Sequence, residues 1–320
     1  MMFRVRKRGD KAGTYNSRTM ITNSGCRFLL PKCHLSTNLS VYTRPSQCSV
    51  DDAGLIFNEK IRYLSNYLQI NTQKALTQHP ILRTTPLSTF QTTFRTLSSM
   101  GLKKAEISRI LDMHPVLLTS DPHLYVYPVI EFLLNEVSIP FSDISTCISR
   151  CPRLLVSSVH HRLRPNLEYL KSLGFTGADS INSQTTVLLV YDKDATLASK
   201  VNFFLSLGLQ FDEVKKMVVR SPAILTYSIE KNLKPKVKYL FEEIGGDLSD
   251  LKVFPQYFSF SLEGRIKWRH KMLMQYNIKL SLQDMLKVSD GEFSARLVER
   301  RLQRGSHRCR TAAQKQLMGS

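Results

Sequence analysis

Apolar side chains along this chain recur on a step of about 35 residues, set by a proline followed two positions later by an apolar residue. The stretches are HPIL at Pro80, HPVLL at Pro115, CPRLL at Pro152, SPAIL at Pro222 and FPQYF at Pro255, with Thr186 of TTVLL in the same column. Their steps are 35, 37, 34, 36 and 33 residues. Eight, five and four residues before the column stand Ile107, Ile110 and Leu111, then Ile144, Cys147 and Ile148, then Val214, Met217 and Val218. This spacing is one face of an amphipathic helix, here called the A helix. Ser142 and Asp212 fit its N-cap in two units. It stops at the proline, whose ring blocks the next backbone bond and disfavours helix in the residue before it.

Thirteen residues after the first column come Pro128, Pro165, Ser199, Pro235 and Trp268. Apolar positions follow at Ile130, Phe132 and Leu133, and at Leu167, Tyr169 and Leu170, and likewise in later units. They predict a second amphipathic helix, the C helix, with proline at its first position, where a missing N–H costs nothing. Gly174, Gly208 and Gly245 suit left-handed ends for it. Each unit therefore reads as A helix, a short second helix through P-x-L-L, a polar link and C helix. One unit cannot bury its own apolar face and stacked units can, so the expected fold is an all-α solenoid. Two proline columns divide the unit into three segments, unlike the two-helix units of other arrays with a similar period. Thr93, Thr186, Ser199 and Trp268 depart from the proline columns and should weaken the regularity of their units.

Charge separates the chain into blocks. The net charge is +19. Residues 1–50 hold nine basic side chains against one acid, 51–150 nine against nine, and 151–320 twenty-seven against sixteen. A basic half beside a neutral one points to a polyanionic partner. Residues 1–50 are rich in Arg, Ser and Thr and carry Asp10 as their one acid, the composition of an organellar transit peptide; a basic arm binding nucleic acid is the alternative. Residues 51–300 form the repeat domain and 301–320 a basic tail that offers auxiliary contacts. No apolar run approaches the roughly 20 residues of a membrane helix.

The six cysteines form no Cys-x-x-Cys pair, and Cys147, Cys151, His160 and His161 match no usual zinc spacing, so a buried free thiol is expected at Cys147 and no metal or cofactor. No phosphate-binding glycine loop, dinucleotide fingerprint, H-E-x-x-H or G-x-S-x-G motif is present, so no enzyme is expected.

Cations recur at the start of the predicted C helices: Arg162 and Arg164, Lys200, Lys234 and Lys236, then Arg265, Lys267, Arg269 and Lys271. A helix N-terminus carries partial positive charge, so stability alone would place acids there. Free N–H groups beside Lys or Arg instead make a phosphate site, and these residues are the candidate nucleic-acid contacts. Pairing with acids of adjacent units is the competing reading. Arg153, Arg220 and Lys231 are secondary candidates, and Arg220 at an A-helix C-terminus also suits the helix dipole. Trp268 reads as packing against the adjacent unit or covering arginine stems. Stacking on a base, or a cation–π contact with Arg265, is its other reading.

The stretches ILDMHPVLLTSDP, ISRCPRLLVSSVHHRLRPNLEYLKSLGF, KMVVRSPAILTYSIEKNLKPKVKYLFEEIGG and LKVFPQYFSFSLEGRIK resemble the repeats of the mitochondrial transcription termination factor (mTERF) family, over about residues 55–300. The final LKVSDGEFSARLVERRL is similar to plant organellar members, particularly a chloroplast one. The resemblance implies a left-handed superhelix of about six three-helix repeats with a basic concave groove. It also implies binding of double-stranded nucleic acid, a role in organellar gene expression and a chloroplast address, with the mitochondrion as alternative. Three functions stay open: a monomeric DNA-binding factor that terminates or regulates transcription, an RNA-binding factor for rRNA maturation or splicing, and a protein-binding scaffold. Organellar transcription or ribosome-assembly proteins are expected as further partners.

Overall fold

A computed structural model of the chain describes residues 50–302, and their side chains from residue 54. The transit-peptide reading of residues 1–50 lies outside these residues, save Val50, as does the tail from residue 303. Every regular element among the described residues is helical.

A helices run over Thr72–Gln78, Lys104–Met113, Phe141–Arg150, Phe211–Arg220 and Leu248–Val253. Each is followed, after one residue, by a 3₁₀ turn that opens on the first-column proline: Pro80–Arg83, Pro115–Leu118, Pro152–Val156, Pro222–Thr226 and Pro255–Ser259. The residue between them is forced out of helical backbone by the proline ring that follows. His114, for example, sits at φ −134°, ψ 72° while its N–H still bonds the Ile110 carbonyl. The apolar triplets read from the sequence are buried throughout, Ile107, Ile110 and Leu111 among them. Cys147 and Cys151 are buried free thiols.

The C helices correct the expectation about the second proline column. Pro128 lies inside the helix Pro122–Asn135. Arg164–Ser172 and Lys234–Tyr239 do carry proline near their α-helical start, but π-helical turns, Val159–Leu163 and Ile229–Leu233, precede them without a break. The true starts are side-chain caps six residues after the first proline column. Asp121, Ser158, Asp192, Ser228 and Ser261 accept from the N–H groups of His123, His161, Ala195, Lys231 and Gly264. A Ser or Asp oxygen satisfies an orphan N–H directly, whereas proline merely lacks one. The π turn also precedes Ser199 and Trp268 and is absent before Pro128, so the proline ring does not cause it.

Two expected A-helix caps are corrected as well. Pro140 and Gln210 cap these helices, and Ser142 and Asp212 fall in the first turn. At Gln210 the capping comes from inside: the Glu213 carboxylate accepts the Gln210 N–H at 2.9 Å. The left-handed ends are present at Gly174, Gly208 and Gly245, with φ of 100°, 100° and 72°. Ser138 and Asn277 take the same conformation in their units.

The Thr186 unit lacks an A helix. Gly177–Asp179 forms a single 3₁₀ turn, and an Asn182-centred turn leads to Thr186–Val190. The segment TGADSINSQT offers only Ile181 to the core, too little apolar surface to hold a helix face down. Backbone amides of 176–185 should therefore exchange with deuterium well before those of Phe211–Arg220. Equal protection would show that this unit is as firmly packed as its neighbours.

Candidate nucleic-acid interface

The candidate cations divide between opposite sides of the C helices. Fourteen residues after the first column stand Asn166, Lys200, Lys236 and Arg269, all buried. Three of them cross to the next unit and donate to carbonyls near the end of its 3₁₀ turn or, for Arg269, near the end of the short helix Leu282–Leu286 and just beyond it. Asn166 Nδ2 reaches the Leu189 and Tyr191 carbonyls at 2.7 and 2.6 Å. Lys236 Nζ reaches the Phe258 carbonyl at 2.7 Å, and Asn232 at 3.1 Å. Arg269 is 0% exposed; it donates to the Met285 carbonyl at 2.7 Å and the Val288 carbonyl at 3.0 Å, and pairs with Asp290. Earlier in the chain Lys60 reaches the Arg83 carbonyl and Thr93 the Leu117 carbonyl in the same manner.

These carbonyls end short helical turns and have no partner further along the chain. They also carry the negative end of the turn's dipole, which suits a cation. Lys236 and Arg269 are thus seam residues, with no face left for a phosphate. Lys200 is buried in the same column, and burial pulls its ammonium below the ordinary lysine range. At Lys236 burial without a carboxylate partner brings the value from 10.5 to about 8.

A second group is held at the surface by the protein itself. Arg162 and Arg265 donate to the Val190 and Val288 carbonyls at 3.3 and 2.8 Å. Arg220 donates to the Lys252 and Val253 carbonyls at 3.0 and 2.8 Å, the dipole role its position suggests. Arg164 grips Glu136 with two N–H groups at 2.8 and 2.5 Å, which holds that carboxyl below its ordinary range.

What remains faces solvent. Arg153, Lys231 and Lys271 are exposed and enter no ion pair among the described residues. Lys234 and Lys267 pair with Glu230 and Glu263 one turn earlier, at 3.3 and 2.5 Å. Such exposed pairs are weak and exchange readily for a phosphate. Lys238, not singled out from the sequence, is exposed one turn beyond Lys234. Lys231, Lys234 and Lys238 lie three and four residues apart, so they form one stripe of the C helix. The N-terminal N–H groups expected beside these cations lie earlier, at the Ser caps.

Trp268 is 44% exposed, and its ring stands 6.0 Å from that of Phe293, a buried residue of the helix 290–302. Arg269 stacks on the same Phe293 ring at 4.7 Å, while Arg265 lies over Phe260 and not over Trp268. The described residues hold no cluster of metal-ligating side chains and no helix long and apolar enough to cross a membrane.

The mTERF family profile matches residues 68–172 and 129–294, most of the repeat array just described. The chain belongs to the mTERF family. Among curated mTERF proteins it is 32% identical over 173 residues to "Transcription termination factor MTERF2, chloroplastic" of Arabidopsis thaliana, covering 53% of this chain and 22% of that protein. It is 25% identical over 198 residues to "Transcription termination factor MTERF8, chloroplastic" of the same plant, 62% of this chain and 39% of that one. A third relative, "Transcription termination factor MTEF18, mitochondrial", also of Arabidopsis thaliana, is 28% identical over 137 residues, 41% of this chain and 24% of that protein. The chain spans about a fifth to two fifths of the length of these relatives.

The buried ammonium of this mTERF chain has a pH signature. Unfolded Lys236 keeps its proton up to about 10.5, while the folded residue releases it from about 8. Between those values the unfolded state binds more protons, so stability rises with pH. In urea unfolding across this range, wild type should gain stability relative to Lys236→Met. Parallel curves would mean that Lys236 is solvated and not a seam residue.

Proposed function

We propose that this mTERF chain is a chloroplast factor that binds double-stranded nucleic acid, DNA foremost, through the exposed cations of its C helices and acts in transcription termination or regulation. Residues 51–300 serve as the binding domain, wound as the left-handed superhelix of about six repeats that the family resemblance implies, with residues 1–50 as the organellar leader and 301–320 as an auxiliary basic tail. The observation that carries this reading is the solvent-facing set Arg153, Lys231, Lys234, Lys238, Lys267 and Lys271, left over once the buried Lys200, Lys236 and Arg269 are set aside. The names of the chloroplast relatives as transcription termination factors support the process and the compartment.

A surface of this kind holds the backbone and reads little sequence. If about 4–6 phosphates are met, log affinity should fall with log salt at a slope of roughly −4 to −5. Lys231→Glu/Lys271→Glu should weaken binding to all duplex sequences alike and flatten that slope. Lys236→Met, folded, should leave slope and affinity nearly unchanged. Affinity insensitive to salt would contradict the proposal, and a loss confined to one sequence would make the two lysines base readers.

A further inference from the structure

Over the Pro115 unit the outward face of the C helix changes character. Eight, nine and twelve residues after the first column, later units carry His160, His161 and Arg164, or Glu230, Lys231 and Lys234. The Pro115 unit carries His123, Leu124 and Tyr127 there. Leu124 is 71% exposed, and Tyr125 and Tyr127 are 52% and 40% exposed. No other C helix among the described residues shows two exposed tyrosines. The His123 ring stands 4.9 Å from that of Tyr127, so the two form a tilted aromatic pair at the surface.

On the side of the helix that carries Leu124 and Tyr125, a cleft of about 720 Å³ opens between Pro122–Asn135 and the start of the next C helix. It is lined by Tyr125, Pro128 and His160, by the polar side chains of Asn135, Ser157 and Ser158, and by the acid Glu131. Arg164 also borders it, 2.7 Å from His160 Nδ1 and locked to Glu136. The volume falls within the roughly 300–1,000 Å³ of clefts that receive small molecules.

Cations suit a phosphate backbone, and a duplex hides the faces of its bases in its own stack. Exposed rings suit bases that have left the stack, since every base has a π-face to offer. Amide and hydroxyl groups in a cleft suit the free edges of such bases. The positions that hold Lys231 and Lys234 in the Pro222 unit thus hold Leu124 and Tyr127 in the Pro115 unit. We propose that the outer sides of this helix form a site for unpaired nucleobases, on a strand that wraps around it and is continuous with the duplex held by the basic C helices. One base stacks on Tyr127 and His123, and another enters the cleft beside Tyr125. The inference rests on the nucleic-acid reading of the preceding section.

The test compares a blunt duplex, the same duplex with an unpaired tail, and the tail strand alone, each as DNA and as RNA, by fluorescence anisotropy. Wild type should favour the tailed probe over the blunt one. Tyr125→Ala/Tyr127→Ala should lose about tenfold or more on the tailed and single-strand probes and keep its affinity for the blunt duplex. Tyr125→Leu/Tyr127→Leu retains apolar bulk without rings and should lose as much, which separates stacking from a folding defect. Tyr127→Phe should bind as wild type. Unchanged affinity of the ring-less variants for every probe would overturn this inference and mark the patch as a protein-docking surface, while leaving the basic face intact. An equal loss on the blunt duplex would also overturn it. Absence of salt-sensitive binding by wild type to any probe would remove the reading on which it rests.

Discussion

A helical turn cut short by a loop leaves its last carbonyls without N–H partners, and in this array those carbonyls are buried between units. A buried unsatisfied acceptor costs about 1–3 kcal/mol, and the array repeats the situation at each seam. At five seams the chain meets it with a donor on the inward side of the preceding C helix, Lys60, Thr93, Asn166, Lys236 and Arg269, whereas the Pro115 unit has the apolar Val129 in that column. Much else follows from that contact. It ties one unit to the next, and at the Lys236 seam Tyr257 Oη returns the bond by donating to the Lys236 carbonyl. It places charge where no carboxylate waits, which pulls Lys236 toward neutrality. It also turns the opposite side of each C helix outward. The Thr186 unit, whose Lys200 makes no such bond and whose A helix is missing, interrupts the series.

The helices and the core were legible because burial has a period. Ile107, Ile110 and Leu111 announce a helix face by spacing alone, and the proline column announces where it stops. The cap column was equally present in the sequence, as Asp121, Ser158, Asp192, Ser228 and Ser261. It was hidden by the proline seven residues later, which offers a familiar reason to begin a helix. The missing A helix before Thr186 was visible as a run of small and polar residues.

The site was harder to read, because a seam donor and a phosphate contact repeat with the same period. Both follow from one residue per unit meeting one recurring partner, and cation type does not separate them. Helical geometry does. Lys234 and Lys236 are two positions apart, about 200° around the helix, so they cannot share a face. The same holds for Lys267 and Arg269. A second clue lies in Asn166, an amide in the column that later holds Lys200, Lys236 and Arg269: a neutral donor fits a carbonyl better than a phosphate.

The resulting picture is a scaffold whose inner cations hold units together and whose outer cations face solvent, unpaired or in exposed pairs with acids one turn away. Lysine-specific acetylation of the folded protein, with and without bound duplex and read by mass spectrometry, tests that division most directly. The account predicts that Lys231, Lys234, Lys238, Lys267 and Lys271 react in the free protein and are protected by the duplex, while Lys60 and Lys236 react slowly in both states. Ready acetylation of Lys236 in the free protein, or outer lysines that stay reactive in the complex, would contradict it.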